Sequence, residues 1–260
     1  LAEEKEANSG KPVIKLKNLY FRYAKNADDV LRGLNLEIEE GKLHCLLGGN
    51  GSGKSTTLKA ICEIIKPQSG KVKITDNCRA AMVPQNPQAL FTEISCEEEV
   101  LEGMCYQKLE IEEKVQRTEE MLKLMEIEHL RKANPYDLSG GEQQRLALAK
   151  VMVSNPDILL LDEPTKGLDP FFKQTLGRIL RSLCKENKTI FMVSHDIEFC
   201  AEFGDRCSMF FDGEIATSGS AKEFFSGNNF YTTVENKLTR KWCEGIITGE
   251  EARTWIRSLL

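Results

Sequence analysis

No apolar run in the 260-residue sequence approaches the roughly twenty residues that a membrane-spanning helix needs, so any association with a bilayer is expected to be peripheral. A basic excess is also missing: 35 lysines and arginines stand against 40 aspartates and glutamates, giving a formal net charge of −5 and a pI near 5.5. That balance speaks against nucleic acid as the main partner, because binding to a phosphate backbone leaves a positive footprint. No stretch is long enough for the coiled-coil arm that chromosome work would require. There are three histidines, and the nine cysteines, Cys45, Cys62, Cys78, Cys96, Cys105, Cys184, Cys200, Cys207 and Cys243, show no C-x-x-C spacing. An odd count, with several members inside apolar segments, argues against a disulfide framework or a zinc site and predicts free thiols in a reducing cytosol.

What the chain does have is glycine at one significant place. Gly48-Gly49-Asn50-Gly51-Ser52-Gly53-Lys54-Ser55 fits G-x-x-x-x-G-K-[S/T], and the apolar run Leu43-His44-Cys45-Leu46-Leu47 before it reads as a buried strand. Glycines let successive backbone N–H groups curl inward into an anion nest, completed by the positive end of a helix starting near Gly53. The pattern points to a nucleoside triphosphate, with Lys54 reaching the β- and γ-phosphates and the Ser55 hydroxyl joining Mg²⁺. An ordinary glycine-rich turn is the competing reading, and the strand-loop-helix context weighs against it.

Further motifs follow in order. Ile158-Leu159-Leu160-Leu161-Asp162-Glu163-Pro164 reads as a strand of a covered parallel sheet ending in two carboxylates, at the end where such folds place ligands. Asp162 is positioned for magnesium and Glu163 for an attacking water; in isolation the pair reads equally as a solvated turn. Leu138-Ser139-Gly140-Gly141-Glu142-Gln143-Gln144-Arg145 leads into an apolar helix reaching about Val153. An anion site at this helix start would use its unpaired N–H groups and dipole, but taken alone Ser139-Gly140-Gly141-Glu142 before an apolar helix satisfies capping chemistry with no ligand, and that reading is then preferred. Gln85 follows the strand Ala80-Ala81-Met82-Val83, Gly167-Leu168-Asp169 follows the carboxylates, and His195 follows the strand Thr189-Ile190-Phe191-Met192-Val193. Upstream, Tyr23 reads either as an aromatic available for stacking or as a plain strand residue.

Together these segments resemble the ATP-binding-cassette ATPases over about Val13 to Ser226. The resemblance implies an α/β fold: a P-loop NTPase core with a mostly parallel sheet, an antiparallel β subdomain, and an inserted α-helical subdomain carrying the signature motif. It implies ATP and Mg²⁺ as ligands. Tyr23 would stack on adenine, and Gly48, Gly49, Asn50, Gly51, Ser52, Gly53, Lys54, Ser55 and Thr56 would hold the phosphates. Ser139, Gly140 and Gly141 would close on the ATP of a second cassette. Ser55, Gln85 and Asp162 would serve the metal, while Glu163, His195, Gln85 and Lys54 would carry catalysis. Glu142 stands where glutamine is commonest in the family; it lies beyond the serine and glycines expected to touch phosphate, so the departure puts little in doubt.

Within the family the chain looks closest to the energy-coupling-factor importer ATPases, especially the end of the second half of duplicated ones, on Phe224-Phe225-Ser226-Gly227-Asn228-Asn229-Phe230-Tyr231-Thr232-Thr233. The partners implied are a second cassette, whether another chain or part of the same longer polypeptide, and integral membrane subunits at the cytoplasmic face of the cell membrane. A non-transport role in translation or on DNA, and an exporter role, remain as alternatives.

Along the chain, residues 1–12 are polar, lack periodicity, begin without methionine and read as a linker that suits a segment of a longer polypeptide. The ATPase domain is expected over 13–226, with the helical subdomain over about 86–153 and helices near Cys96 to Met104 and Ile111 to Met125. Within Gln85 to about Val100 a membrane partner is expected to dock, Phe91 and Ile94 being either contact residues or lobe packing. Beyond, 227–260 predicts a helical extension, Val234 to Trp242 and Ala252 to Leu260, either packed on the core or serving a dimer.

Overall fold

The computed structural model describes residues 10–227 and 232–259. Strands β1 (Pro12–Phe21), β2 (Leu31–Glu39) and β3 (Leu43–Gly48) come first, followed by α1 (Lys54–Ile61), β4 (Ser69–Ile74) and β5 (Ala80–Val83). Helices α2 (Cys96–Glu102), α3 (Ile111–Leu124) and α4 (Gly140–Met152) intervene before β6 (Ile158–Asp162), α5 (Pro170–Lys185), β7 (Thr189–Val193) and α6 (Ile197–Phe203). The chain continues through β8 (Arg206–Phe211), β9 (Glu214–Ser220), α7 (Ala221–Gly227), α8 (Val234–Thr239) and α9 (Gly249–Ser258).

Two sheets form among the described residues: β2-β1-β4, antiparallel, and β5-β6-β7-β3-β8-β9, parallel except for β9. The strands β3, β6 and β7 are buried along their whole length because both faces of the larger sheet are covered. Their alternation divides the core. Leu43, Cys45, Leu47, Leu159, Leu161, Ile190 and Met192 pack with the helices α4, α5 and α6. Leu46, Ile158, Leu160, Phe191 and Val193 point the other way, toward Leu58 and Ile61 of α1 and the inner face of the small sheet. Truncating one of these side chains, as in Leu160→Ala, costs about 2–5 kcal/mol by lost burial and cavity formation.

This is the α/β architecture with a parallel sheet, an antiparallel sheet and inserted helices that the sequence predicts. Cys45, Cys96, Cys200 and Cys207 are buried free thiols, acting as small apolar side chains. Phe91 is buried at 5% exposure, its ring edge-on to Tyr136, whereas Ile94 is 75% exposed. The tail differs in detail. Helix α8 stops at Thr239, and the chain turns through Gly245 (φ +81°) so that Ile246 and Ile247 reach the interior. Helix α9 starts at Gly249, earlier than periodicity predicts, because Thr248 and Glu251 form a reciprocal capping box. Residues 1–9 of the expected linker, 228–231 of the tail motif and Leu260 lie outside the described residues.

Candidate functional site

The carboxyl ends of β3, β6 and β7 meet at one edge of the sheet, beside the point where β3 is flanked by β7 and β8. The turn after β3 needs its glycines. A Cβ at Gly48 would run into the carbonyl oxygen of Phe210, and Gly53 combines φ +115° with Val30 atoms 2.9 Å from where a Cβ would stand. Gly49 and Gly51 have nothing within 4 Å of that position, so the loop surrounds an open concavity. Lys54 starts α1 and folds back into the loop, its Nζ donating to the carbonyls of Gly48 (2.9 Å) and Gly49 (2.8 Å). Burial draws its pKa below the ordinary lysine value, while Glu163 and Asp162 favour its charge.

Ser55 on α1 donates to Asp162 Oδ1 at 3.0 Å, so a hydroxyl and a 3%-exposed carboxylate share one spot. Burial raises the pKa of Asp162 against the pull of Ser55, Lys59 and Lys54. Two hard oxygen donors suit Mg²⁺, which keeps most of its shell as water and phosphate oxygens. Glu163 occupies the left-handed region at φ +55°, a costly conformation for a side-chain-bearing residue, fixed by its N–H bond to the Val193 carbonyl. Its Oε2 accepts the His195 backbone N–H at 3.1 Å and its Oε1 lies 3.1 Å from His195 Nε2. Burial, more than any neighbour, holds the Glu163 carboxyl above its usual range. His195 Nε2 lies 3.4 Å from Lys54 Nζ; burial and then that charge lower its pKa, leaving the ring neutral at pH 7.

One cleft is lined by Asn50, Gln85, Glu163, Lys166, Lys173 and His195, among others, so Gln85 enters with the strand-end residues. Tyr23 lies just beyond β1 and is 59% exposed; its ring stands edge-on to Phe21 and its hydroxyl bonds Thr56 Oγ1 at 3.0 Å. Ser52 Oγ is buried without a hydrogen-bond partner, an orphan donor in the phosphate turn.

The signature turn is elsewhere. Among the described residues, Ser139, Gly140 and Gly141 do not line this cleft; they open α4, Ser139 and Gly140 are exposed, and Gly141 packs against the Gly167 carbonyl. Glu142 engages Ser139 directly, as the capping reading of this segment expects. Ser139 donates to Glu142 Oε2 from both its hydroxyl (2.6 Å) and its backbone N–H (2.8 Å), because a carboxylate three residues into a helix reaches back to the N-cap.

Sequence reasoning missed a link across the chain. Arg145 on α4 pairs with Asp169 at 2.6 Å and Glu126 at 3.2 Å, stacked over Phe172, while Asp169 caps α5 through the N–H groups of Phe171 and Phe172. Both residues lie in recognised motifs, but nothing in their spacing signals the pairing. Lys173, which enters the cleft paired with Asp196 at 2.7 Å, carried no signal beyond its place in an amphipathic helix.

Comparison with known proteins bears on this geometry. A family model described as ABC transporter matches residues 31–166. A Bacillus cereus protein provisionally named an ABC transporter ATP-binding protein is 40% identical over 92% of this chain and 45% of its own length; the chain spans about half the length of such curated relatives. The energy-coupling factor transporter ATP-binding protein EcfA of Methanocaldococcus jannaschii is 33% identical over 82% of this chain and 81% of its own. Among solved structures, the ATP-binding cassette MJ0796, a dimer in a post-hydrolysis state bound to ADP and Pi, superposes with a TM-score of 0.73 at 31% identity, covering 80% of this chain and 98% of that one.

Proposed function

The chain belongs to the ABC transporter ATPase family, and from that premise we propose that it powers uptake of a small solute, a vitamin or a transition-metal ion, through separate membrane subunits. The convergence of Lys54, the Ser55–Asp162 pair and the Glu163–His195 pair on one sheet edge carries the reading. Likeness to an energy-coupling factor transporter ATP-binding protein supports a role in powering transport. The seat of action is the cytoplasmic face of the membrane, with the exposed Ile94 shoulder as the docking point and Phe91 as packing beneath it.

Two cassettes face each other head to tail; the dimeric state of the MJ0796 cassette supports the pairing. Each ATP then lies between the phosphate turn of one protomer and residues 139–141 of the other. Tyr23 and residues 48–56 hold adenine and phosphates; Ser55 and Asp162, with Gln85, hold Mg²⁺, which neutralises phosphate charge when bound. Water oxygen bonds to the γ-phosphorus as the β–γ bridging bond breaks, ADP leaves with the electron pair, and Glu163 takes the water proton. His195 and Gln85 orient the γ-phosphate and the water. The positive φ of Glu163 aims its carboxylate at His195, so binding energy is not spent on arranging them.

Glu163→Gln is expected to keep ATP binding while turnover falls roughly a hundredfold or more. Unchanged turnover would remove Glu163 from its role. Transport itself is tested by co-expressing the chain with candidate membrane subunits: Ile94→Asp should lose coupled uptake and keep ATPase activity.

A further inference from the structure

The helix start that presents Ser139 is blocked by its own side chain. Glu142 Oε2 takes the Ser139 hydroxyl proton at 2.6 Å and the Ser139 N–H at 2.8 Å, and the Glu142 N–H returns a bond to Ser139 Oγ at 3.4 Å. Both donors of this serine, its hydroxyl and its backbone N–H, are thus committed to one carboxylate inside one turn. A hydroxyl-to-carboxylate bond is about twice as strong as a neutral one. Arg145 and His129 lie close enough to favour the Glu142 charge, but Arg145 is paired with Asp169 and Glu126 and neither cation contacts the Ser139 turn. Around the turn, Gly140 has nothing within 4 Å of where a Cβ would stand, so an anion has access.

We propose that Glu142 governs cassette closure, as a positioning residue that withholds the Ser139 hydroxyl and sets a negative charge against the γ-phosphate arriving on the partner's phosphate turn. This rests on the shared-ATP reading above. Closure must then turn the Ser139 proton from carboxylate to phosphate and bring like charges near each other, which keeps the ATP-bound dimer reversible. The proposal separates charge from capping, because glutamine at the same position preserves the capping box.

The test uses the full chain carrying Glu163→Gln, so that ATP persists, with and without Glu142→Gln. Dimer dissociation constants are measured by sedimentation in saturating Mg-ATP. The second substitution should tighten the dimer about tenfold, and the gap should narrow as rising ionic strength shortens the range of the Glu142 charge. A merely structural role predicts no tightening, since glutamine keeps the capping box. Equal constants, or a weaker dimer, overturn the inference and leave the shared site standing. If both proteins stay monomeric while binding ATP, the shared site falls and this inference falls with it.

Discussion

The chain carries two glycine-marked helix starts, and they are finished differently. The turn at residues 48–55 is sunk at a sheet edge, with its cation folded into the concavity and two carboxylates converging on it. The turn at residues 139–141 is exposed, has no cation in contact with Ser139, and is held by a carboxylate from its own helix. Similar backbone chemistry therefore yields two half-sites with opposite charge settings. On the proposed reading, one can hold a polyphosphate by itself, and the other completes a site only when a phosphate is delivered to it.

The contrast can be broken from either side. Lys54→Ala should cost the most, removing both nucleotide affinity and turnover by two or more orders of magnitude, read by equilibrium binding and phosphate release. On the other side, Gly141→Ala places a Cβ 2.8 Å from the Gly167 carbonyl and Ser139→Ala deletes the hydroxyl. Each is expected to lower turnover about tenfold or more while a single chain keeps its ATP affinity. Loss of monomer affinity in Ser139→Ala would show that the two turns serve one site in one chain.

The smallest effects sharpen the comparison through pH. Burial raises the Glu163 carboxyl, so its stabilising contribution is present below the unfolded value near 4.5 and is lost as pH rises through the folded value. At pH 7, above the unfolded value, the upward shift of Glu163 burdens the fold, and Glu163→Gln should raise the unfolding midpoint there but not at pH 4. Glu142 is shifted down by its bonds to Ser139, so its contribution is present above about 4.5 and is lost as pH falls through its lower folded value. Glu142→Gln should therefore lower the midpoint at pH 7. Shifts of the same sign in thermal melts would undo the distinction between the two carboxylates.

Much of this was legible in the sequence because it rests on short-range patterns. Apolar runs gave β3, β6 and β7, and their final residues placed Asp162, Glu163 and His195 near one another. Glycine spacing gave the phosphate turn. What was hidden depends on pairings between distant segments or on side-chain direction: Arg145 with Asp169, Lys173 in the cleft, Phe91 in and Ile94 out. The capping role of Glu142 was legible too. Its spacing from Ser139 is the S-x-x-E capping box, a pattern that also names the hydroxyl it would occupy.

The central claim is that one ATP is gripped by Lys54 of one chain and met by Ser139 of another. Sedimentation of the Glu163→Gln protein, with Mg-ATP saturating and then with Mg-ADP, tests it most directly. A dimer in ATP that returns to monomer in ADP is the predicted result; a monomer that binds ATP fully and never associates would contradict it.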